Sequence, residues 1–350
     1  MHVPKDSRAH TTAVSRRRVI AAATAVAAGG AFAATGRALG QATPDASPVA
    51  GGWSFTDAIG NTVTLPKPPQ RIAAAINVAA SLWDFGVEVP TVFGWTASNH
   101  PDGDHVAWGN IDVETVAIVS DTEGNIEVEP LLVAAPDLIV TWTWDKDDPD
   151  NALVALPAKL MDAVSQIAPV VVLNQGDSNE VELARVEQFA ASLGVDLDAP
   201  ELVAAREAYE AKAAELEQVA AEKAGLLVLF GSFGEDMIYV ASPDYVGDLG
   251  MVRELGVAIA NDGSAAGDTY WESLSTENAL QYPSDVLYID QYGAWTTVEE
   301  LQGHPTIAQH PAVKAGQTAP WPRDLPLSYE GMTAFLESVL APLRTAEKVS

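Results

Sequence analysis

The run PELVAAREAYEAKAAELEQVAAEKAG, from Pro200 to Gly225, limits what this chain can fold into more than any other stretch. It opens on Pro and closes on Gly, and between them stand mostly Ala, Glu, Leu, Lys and Gln, which lose little on entering a helix. About 24 helical residues at 1.5 Å each span roughly 36 Å, comparable to a whole small domain. No sustained heptad seam runs through it, which disfavours a coiled-coil arm. At mid-chain, such a helix reads as a rigid strut joining two lobes.

The flanking sequence carries the pattern of two such lobes. From Trp53, WSFTDAIGNTVTLPKPPQRI reads as a hairpin turning at Gly60-Asn61, with a buried strand beginning near Arg71-Ile72. Helical and apolar segments then alternate: NVAASLWDFG, TVFGWT, VEPLLVAAP, DLIVTWTW, LPAKLMDAVSQIA, PVVVLN and NEVELARVEQFAASLG. After the strut the alternation resumes with LLVLFGSF, MIYVAS, YVGDLGMVRELGV and ENALQYPSDVLYID, and a last helix runs from Tyr329 towards Glu347. Units of this length imply mostly parallel sheets covered by helices. The expected fold is therefore α/β: two αβ lobes, residues 53–199 and 226–350, bridged by one long helix over 200–225.

Two segments in different lobes share a plan. PDLIVTWTWD ends a short apolar strand on Trp142 and Trp144, two positions apart, and ENALQYPSDVLYIDQYG repeats the order of short helix, Pro/Asp turn, apolar strand and aromatic end about 150 residues later. Residues i and i+2 of a strand share a face, so the two tryptophans are expected side by side.

The N-terminus predicts export. SRRRVIAAATAVAAGGAFAATGRALGQA combines a Ser-Arg-Arg start, a weakly apolar core and a small-residue neighbourhood near Gly40 to Ala42, the pattern of a twin-arginine signal over residues 1–42. A polar Pro/Gly-rich linker, 43–52, follows. The chain has no cysteine, hence no disulfide, no thiolate metal site and no cysteine for a lipid anchor, and a periplasmic or cell-surface location is expected. Cleavage near residue 42 would leave 13 basic and 47 acidic residues, a net charge of −34, which repels nucleic acid and anionic membranes.

In order and spacing, DAIGNTVTLPKPPQRI, VEPLLVAAPDLIV, LGMVRELGV, STENALQYPSDVLYID, HPAVKAG and SYEGMTAFLESVL resemble motifs of the ABC-transporter substrate-binding proteins for ferric siderophores, haem and cobalamin, from about Phe55 to Leu343. The resemblance implies a ligand held between the lobes at the loops that follow the strands, where open α/β sheets bind ligands. By position it points to Trp95 at the end of the strand TVFGW, Trp142 and Trp144 in lobe one, and to Tyr239, Tyr270 and Trp271 before a lobe-two helix, Tyr292, Trp295, Trp321 and Arg323 in lobe two. It implies a ferric siderophore carrying its own iron, no further cofactor, and a monomer that meets a membrane permease. Glu129, seven residues before Pro136, and Glu277, eight before Asp285, match the glutamates with which relatives dock on permease arginines. Their residue type is equally explained as a first-turn acid beside a helix dipole.

Charge bears on the ligand. Six arginines follow the signal; Arg185, Arg206, Arg253 and Arg344 are expected on helix surfaces and Arg71 at a strand start, which leaves Arg323 as the cationic clamp. The loop before the lobe-one helix reads SDTEGNIEVE, with Asp121 and Glu123 where relatives that take anionic chelates often carry arginine. An acidic cleft repels ferric catecholates and tolerates neutral or cationic hydroxamates. Haem and cobalamin remain alternatives. His100, Asp102, Asp104 and His105, with His304 and His310 far off in sequence, admit a zinc or manganese binder. A twin-arginine-exported enzyme is the other class, but no thiolate cluster, strand-borne GxGxxG or nucleophile elbow supports it.

Overall fold

The computed structural model describes residues 52–145, 153–263, 270–292 and 295–350. The expected signal and all of the linker except Gly52 lie outside them. β1 (Trp53–Thr56) and β2 (Thr62–Leu65) pair antiparallel, and Gly60, at φ +86°, supplies the left-handed turn between them. The hairpin packs on the helix Asn179–Ser192, with the Phe55 ring edge-on to Phe189 at 4.8 Å.

The first sheet contains β3 (Ile72–Ala75), β4 (Thr91–Phe93), β5 (Ala117–Ile118), β6 (Leu138–Thr143) and β7 (Val170–Asn174), in the order β5-β4-β3-β6-β7. Every pairing in it is parallel. Ala73, Ala74, Leu138, Ile139 and Val140 are fully buried, as continuous apolar strands require when helices cover both faces. The second sheet contains β8 (Val228–Phe233), β9 (Met237–Ala241), β10 (Trp271–Ser275), β11 (Val286–Asp290) and β12 (Thr318–Trp321), in the order β10-β9-β8-β11-β12. Here β8, β11 and β12 run parallel, whereas β9 is antiparallel to both neighbours. Pro320, which has no N–H to give a ladder, sits on the edge strand β12.

The expected strut is the helix Pro200–Glu222, whose 23 residues span about 34 Å. It is one of two links between the lobes. After β12 the chain returns to lobe one, where the Leu327 N–H donates to Ser81 Oγ at 2.8 Å and Ser328 Oγ donates to Asp84 Oδ2 at 2.5 Å. Asn110 Nδ2 donates to both Asp84 Oδ1 and Glu330 Oε2 at 2.9 Å. The helix Tyr329–Thr345 then buries Met332, Phe335, Leu336, Val339, Leu340 and Leu343, an apolar stripe at helical spacing. Each such side chain contributes about 1.5–3 kcal/mol when removed from water. This helix meets the strut, where Lys212 Nζ lies 3.0 Å from Glu215 and 2.7 Å from Glu337. It also meets the second sheet, where Tyr288 donates to the Val339 carbonyl at 2.7 Å.

Three local expectations change. Trp95 opens the short helix Trp95–Asn99 instead of ending a strand. Glu277 stands on a single 3-10 turn, Thr276–Asn278, because Pro283 forces the chain out of helical geometry a few residues later. Tyr270 and Trp271 lead into the strand β10 and not into a helix.

Candidate functional site

Parallel strands end on the same side of their sheet, so the loops after them gather the side chains of the site. Asn77 follows β3, Trp95 follows β4, Trp142 closes β6 with Trp144 just beyond, and Gln175 follows β7. From the second lobe, Tyr292 follows β11 and Arg323 and Asp324 follow β12, while Tyr270 and Trp271 enter at the start of β10. Together they line two adjoining cavities of about 430 and 470 Å³. Asn77, Trp142, Trp144, Arg323 and Asp324 belong to both, so the two are halves of one cleft between the sheets.

The aromatic walls are braced from behind. Trp142 and Trp144 meet edge to face at 6.1 Å and 71°. A Cβ on Gly176 would stand 2.4 Å from the Trp144 carbonyl oxygen, so the β6 and β7 loops touch backbone to backbone. Gly124, at φ +87°, packs in the same manner against the backbone of Trp95. Trp95 and Trp144 leave 51% and 46% of their surface open. The Trp142 Nε1 is buried and has no hydrogen-bond partner among the described residues.

Arg323 is the only cation lining the cleft among the described residues, and its charge is committed. Its Nε donates to Asp290 Oδ1 at 3.3 Å, and its Nη1 lies 3.4 Å from Asp324 Oδ2. The guanidinium sits over the rings of Tyr292, at 4.7 Å, and Trp271, at 5.7 Å. Burial works against the charge, but Asp324, Tyr270 and Asp290 hold its pKa above the usual guanidinium range. Tyr292 donates to the Arg323 carbonyl at 2.8 Å and stacks on His105 of lobe one at 4.4 Å and 9°. Burial, with His100 and Arg323 nearby, pushes His105 down to about 4, so the ring is neutral near pH 7 and accepts from the Ala107 N–H through Nδ1 at 3.1 Å.

The second half of the cleft contains Asp248 at the start of the helix Gly247–Glu254. Its carboxylate accepts from Asn179 Nδ2 of lobe one at 2.5 Å and from Trp321 Nε1 at 2.9 Å. Burial pushes Asp248 up to about 6, and the charge on Asp324 adds to the effect.

Of the residues expected at the site, Trp95, Trp142, Trp144, Tyr270, Trp271, Tyr292 and Arg323 line the cleft. Trp321 does not. It is 0% exposed and edge-on to Phe230, because it shares the inward face of β12 with Ala319, while Pro320 between them is exposed. Tyr239 stands on β9, partly exposed, with its ring edge near Trp271. Trp295 bridges to Phe233 and packs on the satellite core of lobe two. The cleft's acidity also has another source than expected: Asp121 accepts from the Glu123 and Asn125 N–H groups of its own turn, and the carboxylates lining the cleft are Asp248 and Asp324. Asn77, Thr96, His105, Gln175 and Asn179 complete the polar lining. Glu129 and Glu277 are exposed on their respective lobes.

The other histidines of the described residues are engaged elsewhere. His100 pairs with Asp104 at 2.7 Å, His304 Nδ1 accepts from the Thr306 and Ile307 N–H groups, and His310 Nε2 lies 3.1 Å from the Tyr282 carbonyl. Among the described residues no three His, Asp or Glu side chains are grouped to hold a metal ion.

Two αβ sheets, a long bridging helix and a cleft at the strand ends define a two-lobed solute-binding protein. A family model described as periplasmic binding protein matches residues 74–325. The chain is similar to DesE, a ferric-siderophore receptor protein from Streptomyces coelicolor, with 34% identity over 85% of this chain and 100% of that one and a TM-score of 0.76. It shares the fold of YclQ, a petrobactin-binding protein from Bacillus subtilis (15% identity, 84% and 99% of the two chains, TM-score 0.63). It also shares that of PiaA from Streptococcus pneumoniae, solved with ferrichrome (19% identity, 84% and 99%, TM-score 0.54). No curated protein matches the chain significantly. The chain belongs to the periplasmic binding protein family, in its siderophore-type branch of ABC-importer substrate-binding proteins. Its family is one of binding proteins and not of enzymes.

Proposed function

We propose that the protein captures a ferric hydroxamate siderophore in the cleft and delivers it to a membrane permease. The observation that carries this reading is the charge of the lining. Arg323 is answered by Asp290 and Asp324, and Asp248 adds a further acid, so nothing remains to balance a trianionic catecholate complex. A neutral or cationic hydroxamate chelate meets no such penalty. Its apolar edges suit Trp95, Trp142 and Trp144. DesE, the relative at 34% identity, is a ferric-siderophore receptor protein, which favours iron chelates over haem or cobalamin.

In this reading Glu129 and Glu277, one on each lobe, meet the permease. Each is exposed and stands beside exposed apolar residues, Leu132 and Val133 in one lobe and Leu280 in the other. The protein works as a monomer outside the cytoplasmic membrane, exported by the twin-arginine route.

The test is a tryptophan-fluorescence titration of the mature, metal-free protein with ferrioxamine, ferrichrome, a ferric catecholate, haem, cobalamin and zinc. Submicromolar quenching by a hydroxamate alone, about −8 kcal/mol or better, is expected. Tight binding of the catecholate would remove the charge reasoning, and a response to zinc alone would overturn the substrate class.

A further inference from the structure

The charged groups that line the cleft among the described residues are Arg323, Asp248 and Asp324. They are not equally available to a ligand. Both oxygens of Asp248 already accept, one from Asn179 and one from Trp321. The Arg323 guanidinium is pinned by Asp290 and covered by two rings. Asp324 differs on each count. It lines both halves of the cleft, and its side chain keeps 31% of its surface open. Its closest charged contact, Arg323 Nη1, is at 3.4 Å, and that cation is already shared with Asp290.

The backbone explains why the carboxylate points here. Asp324 has φ +69°, a left-handed conformation that Asp and Asn adopt far more readily than other side-chain-bearing residues. It sits where the chain leaves β12 and turns back towards Ser81 of lobe one. The turn is therefore fixed at both ends, and the side chain at its apex is presented to the space between the lobes. The Asp324 charge also reaches Asp248, Tyr270 and Tyr292, raising all three, as expected of a carboxylate central to the site.

We infer that Asp324 is a specificity-determining residue that selects, among hydroxamate chelates, those carrying a pendant ammonium group. This rests on the hydroxamate reading above. The surplus charge of the cleft sits on Asp324, and a primary ammonium on a flexible arm can reach a carboxylate that opens to both halves. The same charge disfavours a chelate of identical shape whose amine is blocked, because its carboxylate then loses water without gaining a partner.

The experiment compares ferrioxamine B, which carries a free ammonium, with its N-acetylated form, the same chelate without the charge. Both are titrated against the native protein and D324N, since Asn keeps the left-handed backbone accessible. The native protein is expected to prefer the charged chelate by about tenfold, a preference that shrinks as salt is raised from 0.05 to 0.5 M (chosen concentrations), roughly a threefold shortening of the Debye length. D324N is expected to lose the preference from both sides, binding ferrioxamine B more weakly and the acetylated chelate no more weakly than the native protein does. Persistence of the preference in D324N, or an equal loss of both chelates, overturns the inference. Tight and equal binding of both by the native protein overturns it too, while leaving the hydroxamate reading intact. Binding of neither chelate overturns that reading and this inference together.

Discussion

Replacing Gly247 with Ala tests whether the two lobes are seated on each other through bare backbone. A Cβ there would stand 2.2 Å from Asn179 Oδ1 and 2.8 Å from the Asp177 carbonyl oxygen, where ordinary contact begins at 3.4 Å. The Asn179 amide must retreat by about 1 Å, and its 2.5 Å bond to Asp248 goes with it. Overpacking costs about 1–3 kcal/mol, and a hydrogen bond to a charged group contributes about 1.5–3. Against this, Ala is preferred to Gly inside a helix by up to about 1 kcal/mol. The net expectation is a loss of roughly 2–5 kcal/mol, or about 3–8 °C in Tm at this chain length. Gly303→Ala is the control, because nothing lies within 4 Å of its added Cβ. That variant should be neutral or slightly more stable. Thermal unfolding of both variants decides the matter, and G247A melting at or above the native temperature would refute the reasoning. Asn179, Gly247 and Asp248 also line the cleft, so G247A should weaken chelate binding where G303A does not.

Two further outcomes follow from the same contacts. Trp144→Ala removes the 46% of a tryptophan surface that a chelate would cover, about 115 Å², which at ~25 cal/mol per Å² is an upper limit near 3 kcal/mol and about 100-fold in Kd; Trp295→Ala, which touches only the satellite core, should leave Kd unchanged in the same titration. Burial raises Glu182 to about 7 from 4.5, Asp177 adds to the shift and Arg185 opposes it, so the fold retains a proton that the unfolded chain has released. This carboxyl therefore contributes stability below about pH 4.5 that is lost as pH rises towards 7, and Glu182→Gln should gain on the native protein between denaturant titrations at pH 5 and pH 8. An identical difference at both pH values would show that the residue does not titrate in this range.

Residues whose local pattern and tertiary role coincide were legible in the sequence. The strut announces itself by Pro200, Gly225 and the helix formers between them, and Trp142 and Trp144 by their spacing at the end of a buried strand. Asp324 was not legible, because its place in the cleft lining depends on a left-handed turn that the sequence does not display. Asp248 carries no local signal either, because its partner Asn179 comes from the other lobe, about 70 positions away in sequence. Trp321 was misplaced for the opposite reason. An aromatic after a proline at a strand end has the composition of a cleft residue, and only the packing of Phe230 and Trp271 around it decides that it faces inward.

The second crossing between the lobes changes how capture can work. A single helix leaves two lobes free to bend about one axis, but here the segment after β12 is anchored to Ser81 and Asp84, and Glu330 is held by Asn110. Two anchored links restrict that freedom, so a small closure is expected in place of a wide one. Ligand entry then involves a local opening, and besides the Asn179–Asp248 hydrogen bond the His105–Tyr292 stack spans the cleft. Parting it forgoes about 0.5–1.5 kcal/mol beyond its buried area, a small cost beside the burial of a chelate between Trp95, Trp142 and Trp144. Arg323 and Asp324 lie on the second crossing itself, and Tyr292 donates to the Arg323 carbonyl. A ligand that touches these residues therefore acts directly on a link between the lobes, which gives even a small movement a route to surfaces on both of them.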